Sequence, residues 1–281
     1  MESFSRKFVN SSWSIPVFFT ILLNILLVYG FDGEVKIPDG TLKKNHKAMV
    51  ILPRDYRNNG KRYPVIFLLH GYSNNHKTWP KIVPLNKYAD SLQLIFVCPD
   101  GNYDSWYLDS PVKKNSRYES FITKIVIPFV DRNYRVISGP EGRAICGSSM
   151  GGHGALTLIC KNPGLFCAAS SISGILDLTR FPDNWNIKNV LGNFHENKNS
   201  WSEHSFVYTL KFLTDLKKPV LIDCGLSDFA LSTNRDAHNK LDSLKIDHLY
   251  LESPGNHSHA YSQKRFLEHL RFLTGYLATA Y

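Results

Sequence analysis

Apolar residues along the chain fall into short blocks that predict strands, separated by longer stretches with helical spacing. Apolar runs bounded by glycine, proline or polar residues predict buried strands. They lie at residues 63–69, 94–98, 144–146 and 219–225, the last of which also contains Asp223. Residues 118–130 instead carry apolar side chains at the spacing of an amphipathic helix. Buried strands that alternate with helices predict an α/β fold with a mostly parallel central sheet and helices on both faces.

The size of the chain, 281 residues of which 43% are hydrophobic, suits a single large core. We expect residues 31–281 to form that domain. Within it, the pattern loosens between Gly174 and Lys218 into a stretch rich in asparagine, lysine and glutamate. We predict a small cap insertion at about 175–218, which acts as a lid or pocket wall and not as a separate domain.

The N-terminal segment, residues 1–30, has the pattern of a targeting sequence. Arg6 and Lys7 precede an uncharged apolar stretch from Ile15 to Val28. This stretch is shorter than the roughly 20 residues of a membrane-spanning helix, so the segment is interpreted as a signal peptide. An uncleaved membrane anchor is the alternative. Either one predicts a catalytic domain outside the cytoplasm, secreted or periplasmic.

The most specific motif is Gly147-Ser148-Ser149-Met150-Gly151, which lies between an apolar run and a helix-like run. It fits G-x-S-x-G, the nucleophile elbow of α/β-hydrolases, in which a serine occupies a sharp turn between a strand and a helix. Glycine is needed two residues before and two residues after Ser149, because a side chain there would collide with the neighbouring strand or helix. We therefore predict Ser149 as a nucleophile, with a plain glycine- and serine-rich loop as the alternative.

The order of such triads, nucleophile then acid then histidine, selects candidates for the other two groups. Asp228 follows the predicted strand at 219–225, and His257 follows residues 248–252, whose alternation predicts another strand. They are then expected at the carboxyl edge of the sheet, where open parallel sheets bind their ligands. Asp223 and His259 are the alternatives for the acid and the base, and capping of the next helix is the alternative role for Asp228.

Acyl transfer also needs N–H donors for the oxygen that becomes negatively charged. Met150, directly after the nucleophile, is expected to supply one backbone donor. Tyr72 is expected to supply the second, because it ends the segment His70-Gly71-Tyr72 after an apolar strand and Gly71 lets the chain turn there. His70 is interpreted as a packed histidine that supports this loop.

Several longer segments carry a resemblance to one family. They are LLHGYSNNHKTW, VCPDGNYDSWYLDSP, YESFITKIVIPFVDRNYRV, AICGSSMGGHGAL, IDCGLSDF and SPGNHSHAY. Together they resemble the esterase family of α/β-hydrolases that includes esterase D-type S-formylglutathione hydrolases, feruloyl and tributyrin esterases, and mycobacterial mycolyltransferases. The resemblance implies Ser149 as nucleophile, Asp228 as acid and His257 as base. It also implies oxyanion positions at the amides of Tyr72 and Met150.

The expected pocket wall departs from the family pattern at two positions. Family members carry tryptophan where this chain has His259, and another aromatic residue where it has Ser262. Three aromatic residues near the expected site either stack on a sugar or phenolic ring of a substrate or pack the loops onto the core: Trp79, Trp106 and Tyr107. We take Trp106, Tyr107 and His259 as the pocket candidates.

Composition narrows the range of partners. The net charge of +9 comes from scattered basic residues without a nucleic-acid-binding motif, which indicates no nucleic-acid partner and a mild preference for anionic surfaces. The five cysteines are an odd number and mostly lie in apolar runs, which indicates buried free thiols and no disulfide framework. Cys146 is expected to be strand core and not a nucleophile.

These observations predict a secreted serine carboxylesterase that hydrolyses small acyl or feruloyl-type esters, free or linked to glycans. No metal or organic cofactor is expected, because His257 and His259 lack a third ligand at a recognisable spacing and serine acyl transfer needs none. The alternatives are an acyltransferase and a hydrolase of S-formylglutathione-type thioesters, although the export segment disfavours a substrate found in the cytosol. The complete triad argues against a binding module without activity.

Overall fold

The protein is an eight-stranded sheet with helices on both sides, as the computed structural model describes it for residues 32–39, 44–210 and 218–281. The predicted signal peptide lies outside these residues. The strands are β1 (Gly33–Asp39), β2 (Lys44–Ile51), β3 (Val65–Leu69), β4 (Ile95–Pro99), β5 (Arg143–Ser148), β6 (Ala168–Ile172), β7 (Val220–Gly225) and β8 (Leu249–Ser253).

The strand order is β1-β2-β4-β3-β5-β6-β7-β8. Strand β2 runs antiparallel to β1 and to β4, and all other neighbouring pairs are parallel. The prediction of a mostly parallel α/β-hydrolase sheet is therefore confirmed. Every residue of β3, β4, β6 and β7 is buried, as expected for strands covered on both faces.

Alternate residues of one central strand enter two separate hydrophobic cores, because successive side chains of a strand point to opposite faces. Val65, Phe67 and Leu69 of β3 belong to the first core. Ile66 and Leu68 belong to the second. Each face of the sheet is thus closed by its own set of helices.

Nine helices connect and cover the strands within the described residues. They are α1 (Thr78–Ile82), α2 (Leu85–Leu92), α3 (Tyr118–Ser120, continued by the π-helical Phe121–Val126 and by Ile127–Asn133), α4 (Met150–Lys161), α5 (Ile187–Leu191), α6 (Lys198–Glu203), α7 (Phe206–Thr209), α8 (Leu231–Ser243) and α9 (His259–Thr274). No helix in these ranges is long and apolar enough to cross a membrane.

The predicted helix at 118–130 is present as α3, with one irregularity. Its middle turns are π-helical and end at Val126, shortly before Pro128. Pro128 has no N–H for the carbonyl of Lys124, so the regular hydrogen bond of an α-helix is missing at this point. The widening of the helix falls in the turn that precedes the proline.

The predicted cap region, between β6 and β7, holds the short helices α5, α6 and α7. Its buried side chains Ile187, Trp201 and Phe206 join the first core. The region is therefore packed onto the sheet domain, with residues 211–217 outside the described part.

All five cysteines are free thiols, and Cys167 alone among them is partly exposed. Burial raises the pKa of the Cys146 and Cys160 thiols to about 12. A thiol with such a pKa stays protonated at neutral pH and is a poor nucleophile.

Candidate active site

The three predicted triad residues follow three parallel strands. Ser149 comes directly after β5, Asp228 lies in the loop after β7, and His257 lies in the loop after β8. Because β5, β7 and β8 run in the same direction, their carboxyl ends meet at one edge of the sheet. The structure brings the three side chains together at this edge.

The turn at Ser149 has an unusual backbone conformation. Its φ of 59° and ψ of −118° lie outside the regions that non-glycine residues normally occupy. Two hydrogen bonds hold it there: the Ser149 N–H donates to the Ile172 carbonyl at 2.9 Å, and the Ser149 carbonyl accepts from the His153 N–H at 3.0 Å. A Cβ at Gly147 would collide with the Gly151 carbonyl, which confirms that the turn needs glycine there.

A continuous chain of hydrogen bonds joins the three groups. Nε2 of His257 lies 2.8 Å from Oγ of Ser149. Nδ1 of His257 lies 2.9 and 3.0 Å from the two carboxylate oxygens of Asp228. An ionised carboxylate only accepts hydrogen bonds, so Nδ1 carries the proton and Nε2 is free to accept the serine proton.

The carboxylate of Asp228 is fully shielded from solvent, whereas 23% of the His257 side chain is exposed. Asp228 also accepts a hydrogen bond of 2.8 Å from the backbone N–H of Ala230, just before α8 begins. The same carboxylate therefore both contacts the histidine and orders the start of the next helix.

Asp223, the alternative acid, belongs to a different network. Its carboxylate accepts from Arg265 at 2.6 Å, lies 3.3 Å from Nε2 of His269 and accepts from the Tyr261 hydroxyl. Burial would raise the pKa of Asp223, but the hydrogen bond from His269 and the further donors outweigh it, and the pKa is lowered. Asp223 thus joins β7 to α9 and makes no contact with the catalytic candidates among the contacts described.

His259, the alternative base, is the first residue of α9 and lines the cavity beside the triad. The hydrogen bonds to Ser149 and Asp228 come from His257 instead. Between them, Ser258 caps α9 by accepting from the Tyr261 N–H at 3.2 Å.

The loop predicted to supply an oxyanion donor lies beside the nucleophile. A Cβ at Gly71 would be 3.4 Å from Cβ of Ser149, so the backbone there passes close to it. Tyr72 lines the cavity. Met150 is the first residue of α4, and the first N–H groups of a helix have no partner within the helix. Tyr72 and Met150 thus both lie close to Ser149, and the role of their amides as oxyanion donors stays a prediction.

His70 supports this loop from below, as the sequence indicated. Its side chain is buried, Nδ1 lies 2.8 Å from the Gly71 carbonyl, and Nε2 accepts from the Gly101 N–H at 2.8 Å. Both ring nitrogens are thereby occupied by backbone groups, which is the supporting role predicted for His70.

A cavity of about 340 Å³ opens in front of Ser149. Its aromatic wall contains Trp185 from the cap region and Phe229 from the acid loop, stacked with ring centroids 5.3 Å apart. Trp185 lies within the predicted cap, but neither it nor Phe229 was among the predicted pocket residues. The signal available for Phe229 was its position directly after Asp228, which puts an aromatic ring next to the triad.

Trp106 and Tyr107 do not line this cavity, so their prediction as pocket residues is wrong. Each is only 1% exposed. The Trp106 indole donates to the Trp185 carbonyl at 3.3 Å, and the Tyr107 hydroxyl donates to the His70 carbonyl at 3.1 Å. The two rings support the cavity wall from behind, because the cap region and the oxyanion loop cover them.

Comparisons with known proteins identify the family of the chain. The family described as "Putative esterase" matches residues 40–273. The chain is 36% identical over 140 residues to esterase Rv1288 of Mycobacterium tuberculosis (strain ATCC 25618 / H37Rv), a match that covers 48% of this chain and 30% of that protein. It is 28% identical over 213 residues to S-formylglutathione hydrolase of Bos taurus, covering 68% and 73% of the two chains.

Among solved structures, a ferulic acid esterase superposes with a TM-score of 0.75 at 25% identity, over 87% of this chain and 97% of that chain. The family match spans most of the sequence, and the sheet, the elbow and the connections described above are those of α/β-hydrolases. The chain therefore belongs to this esterase family.

Proposed function

We propose that the protein is a serine carboxylesterase that hydrolyses small acyl or feruloyl-type esters through an acyl-enzyme. The observation that carries the proposal is the hydrogen-bonded chain from Asp228 through His257 to Ser149, which opens onto a cavity. A buried acid, an oriented imidazole and a serine hydroxyl at contact distance are the parts of a nucleophilic triad.

In the first step, Oγ of Ser149 attacks the carbonyl carbon of the ester while its proton passes to Nε2 of His257. Asp228 holds the imidazole in the required orientation and stabilises the imidazolium that forms. The carbonyl oxygen becomes negatively charged and accepts hydrogen bonds from the amides of Tyr72 and Met150. One such donor is typically worth about 3 kcal/mol in the transition state.

The tetrahedral intermediate then breaks its bond to the alcohol. His257 donates its proton to the departing oxygen, which leaves an acyl group on Ser149 and a neutral imidazole. Water enters, loses a proton to His257 and attacks the acyl carbon. The acid is released and the proton returns to Ser149, so the enzyme ends in its starting form.

The walls of the cavity support a small or aromatic acyl group. Trp185 and Phe229 supply apolar rings, while His259 and Asn74 supply polar atoms. The ferulic acid esterase that superposes on this chain carries in its name a substrate class with such an aromatic ring. Aromatic side chains offer a flat apolar surface against which a planar acyl group can stack.

Hydrolysis of S-formylglutathione-type thioesters is the second candidate, supported by the similarity to the Bos taurus enzyme. A thioester would react through the same steps with a thiolate as leaving group. An acyltransferase would differ only in the second step, where an alcohol replaces water. Export by residues 1–30, which we also propose, favours an ester outside the cytoplasm over a cytosolic thiol conjugate.

The test is turnover by the purified protein on p-nitrophenyl acetate and butyrate, methyl ferulate and S-formylglutathione, with and without acceptor sugars. We expect ester hydrolysis that persists in EDTA, and none in Ser149→Ala. Faster turnover of S-formylglutathione than of every ester would replace the proposal with the thioesterase. Acyl groups found only on the acceptor sugars, with no free acid released, would replace the esterase proposal with an acyltransferase. N-terminal sequencing of protein recovered outside the cytoplasm tests the export proposal.

A further inference from the structure

Two histidines and an aspartate meet at the end of α8, away from the candidate active site. His238 and Asp242 are one helical turn apart on α8, and His248 directly precedes β8. One nitrogen or oxygen of each lies within 4.8 Å of the other two. We propose that these three side chains bind one Zn²⁺ ion.

The ring of His248 already has the orientation of a metal ligand. Its Nδ1 lies 2.8 Å from the Ile246 carbonyl, which can only accept, so Nδ1 carries the proton. Histidines that bind metals nearly always donate their second N–H to a carbonyl or carboxylate in this way. The lone pair of Nε2 is left to face His238, at 2.8 Å from Nδ1 of that ring. Only 3% of the His248 side chain is exposed.

The ring of His238 is held from a different direction. It stacks on Tyr250 with ring centroids 4.2 Å apart and planes within 8° of parallel. The Tyr250 hydroxyl donates to Glu252 at 2.7 Å, which fixes the tyrosine in turn. Both imidazoles are therefore positioned by the surrounding fold as well as by their contact with each other.

Asp242 completes the group with an exposed carboxylate. One of its oxygens lies 3.9 Å from Nε2 of His248, and the other lies 3.5 Å from Nε2 of His238, the ring nitrogen that does not face His248. Its side chain is 62% exposed, so it can turn toward an ion without disturbing the core. Two imidazoles and one carboxylate, with water in the fourth position, form a ligand set that Zn²⁺ accepts.

The two histidine nitrogens need only a small adjustment to hold the ion. Zinc–nitrogen bonds of about 2.0–2.1 Å at tetrahedral angles separate two ligand nitrogens by about 3.3 Å. The two histidine nitrogens are 2.8 Å apart while they share a proton. Exchange of that proton for Zn²⁺ therefore requires the rings to separate by about half an ångström.

The position of the site indicates what the ion does. Strand β8 has five residues, so His248 is separated from the triad edge of the sheet by about 17 Å. The loop of Asp228 leads into α8, and β8 leads to the loop of His257. The ion would link α8, which follows the loop of Asp228, to the start of β8, which precedes the loop of His257. Its effect is expected on stability and not on the chemical step.

The experiment uses the full chain, stripped of metal with EDTA and dialysed. Calorimetric titration with ZnCl₂ should give one ion per chain, and Co²⁺ should give the visible absorption of a tetrahedral site. Excess Zn²⁺ should raise the melting temperature, because the ion binds the folded state only. The rate of ester hydrolysis, from the proposed function, should stay unchanged by Zn²⁺ at the concentration that fills this site.

Asp242→Asn and His248→Gln should each weaken Zn²⁺ binding by about tenfold or more. The matched control is His195→Gln, which removes an exposed histidine elsewhere and should bind like the parent. Equal affinities in the control and in both variants would overturn the proposal, as would no binding by the parent. Loss of binding in His259→Gln would move the ion to the active site instead. Asp242 is exposed, so its variant answers the question even if His248→Gln fails to fold.

Discussion

The phenyl ring of Phe229 lies against the imidazole of His257, with ring centroids 4.2 Å apart and an interplanar angle of 31°. Phe229 directly follows Asp228, so one short loop both accepts the histidine N–H and covers its ring. Trp185 stacks on Phe229 in turn. The orientation of the proposed base and the shape of the cavity wall therefore depend on the same residues.

Phe229→Ala should weaken turnover of aromatic acyl esters more than turnover of acetyl esters. Aromatic ring pairs contribute about 0.5–1.5 kcal/mol beyond their buried area, which corresponds to a roughly 2- to 10-fold loss in kcat/KM for methyl ferulate. Phe229→Leu is the matched control. It retains an apolar side chain near His257, so its loss of kcat/KM on the acetyl ester should be smaller than that of Phe229→Ala. Equal losses on both esters in Phe229→Ala would assign the ring to positioning of His257 and not to the acyl group.

Ser149 and Ser148 are neighbours with different surroundings. Oγ of Ser149 contacts His257, whereas Oγ of Ser148 lies 2.8 Å from Oγ of Ser262. Ser149→Ala should lower kcat by about 10⁴ or more, as in other triads, and should abolish labelling by a fluorophosphonate. Ser148→Ala should keep the label and most of the activity. Mass spectrometry that finds the label on Ser148 would contradict the assignment.

Variants of His257 and His259 should differ in their kinetics. His257→Ala should abolish hydrolysis of activated esters, because no other group of the described site contacts Oγ of Ser149 as an acceptor of its proton. His259→Ala should change mainly KM or acyl preference, since His259 lines the cavity. Steady-state kinetics on p-nitrophenyl esters of two chain lengths make the comparison, and the reverse pattern would transfer the role of base to His259.

Gly151→Ala should destabilise the fold. A Cβ at this position would collide with the Leu69 carbonyl, a rigid backbone group of β3. Overpacking of this kind costs about 1–3 kcal/mol or more. Gly60→Ala is the matched control, because a Cβ there meets no atom within 4 Å. Urea unfolding of the two variants measures the difference, and equal midpoints would mean that the elbow can relax.

Stability should fall with acidity partly because of His153. Its side chain is buried, Nε2 donates to the His204 carbonyl at 2.7 Å, and burial lowers its pKa from 6.5 to about 4. Between about pH 4 and pH 6.5, His153 is protonated in the unfolded chain but stays neutral in the folded protein. The free energy of unfolding therefore falls as the pH drops from about 6.5 to about 4, by about 1.4 kcal/mol per pH unit for one full proton. Below about pH 4, His153 is protonated in both states, so its contribution to the free energy of unfolding is lost and no longer changes with pH.

Urea unfolding at several pH values between 4 and 7 checks this prediction. His153→Gln should show a shallower decline over this range than the parent protein. His195→Gln, which changes an exposed histidine, should decline like the parent. The lowered pKa of His204, also caused first by burial, acts in the same direction and leaves a residual slope in His153→Gln. Identical slopes in all three proteins would contradict the role of His153.

The parts of the site that sequence could predict depend on strand ends. Ser149, Asp228 and His257 follow parallel strands, so their convergence is a consequence of the fold. Strand β6 was not predicted, because Ser170 and Ser171 interrupt the apolar pattern of its sequence, although both side chains are fully buried.

The parts that sequence could not predict depend on contacts between distant segments. Trp106 is covered by Trp185, 79 positions away. Whether its ring faces a substrate or the core is decided by the path of the cap, which has no regular periodicity. The contact between His238 and His248 likewise depends on the pairing of β8 with β7. This pairing brings His248, directly before β8, to the end of α8.

The backbone of Ser149 has a consequence for how this protein can change over time. Such angles cost a residue other than glycine about 1–3 kcal/mol, and here the strain falls on the proposed nucleophile. A change to glycine would relax the turn and remove the proposed nucleophile at the same time. Selection for stability and selection for turnover thus oppose each other at this residue. A lineage no longer selected for turnover would be expected to lose Ser149 early.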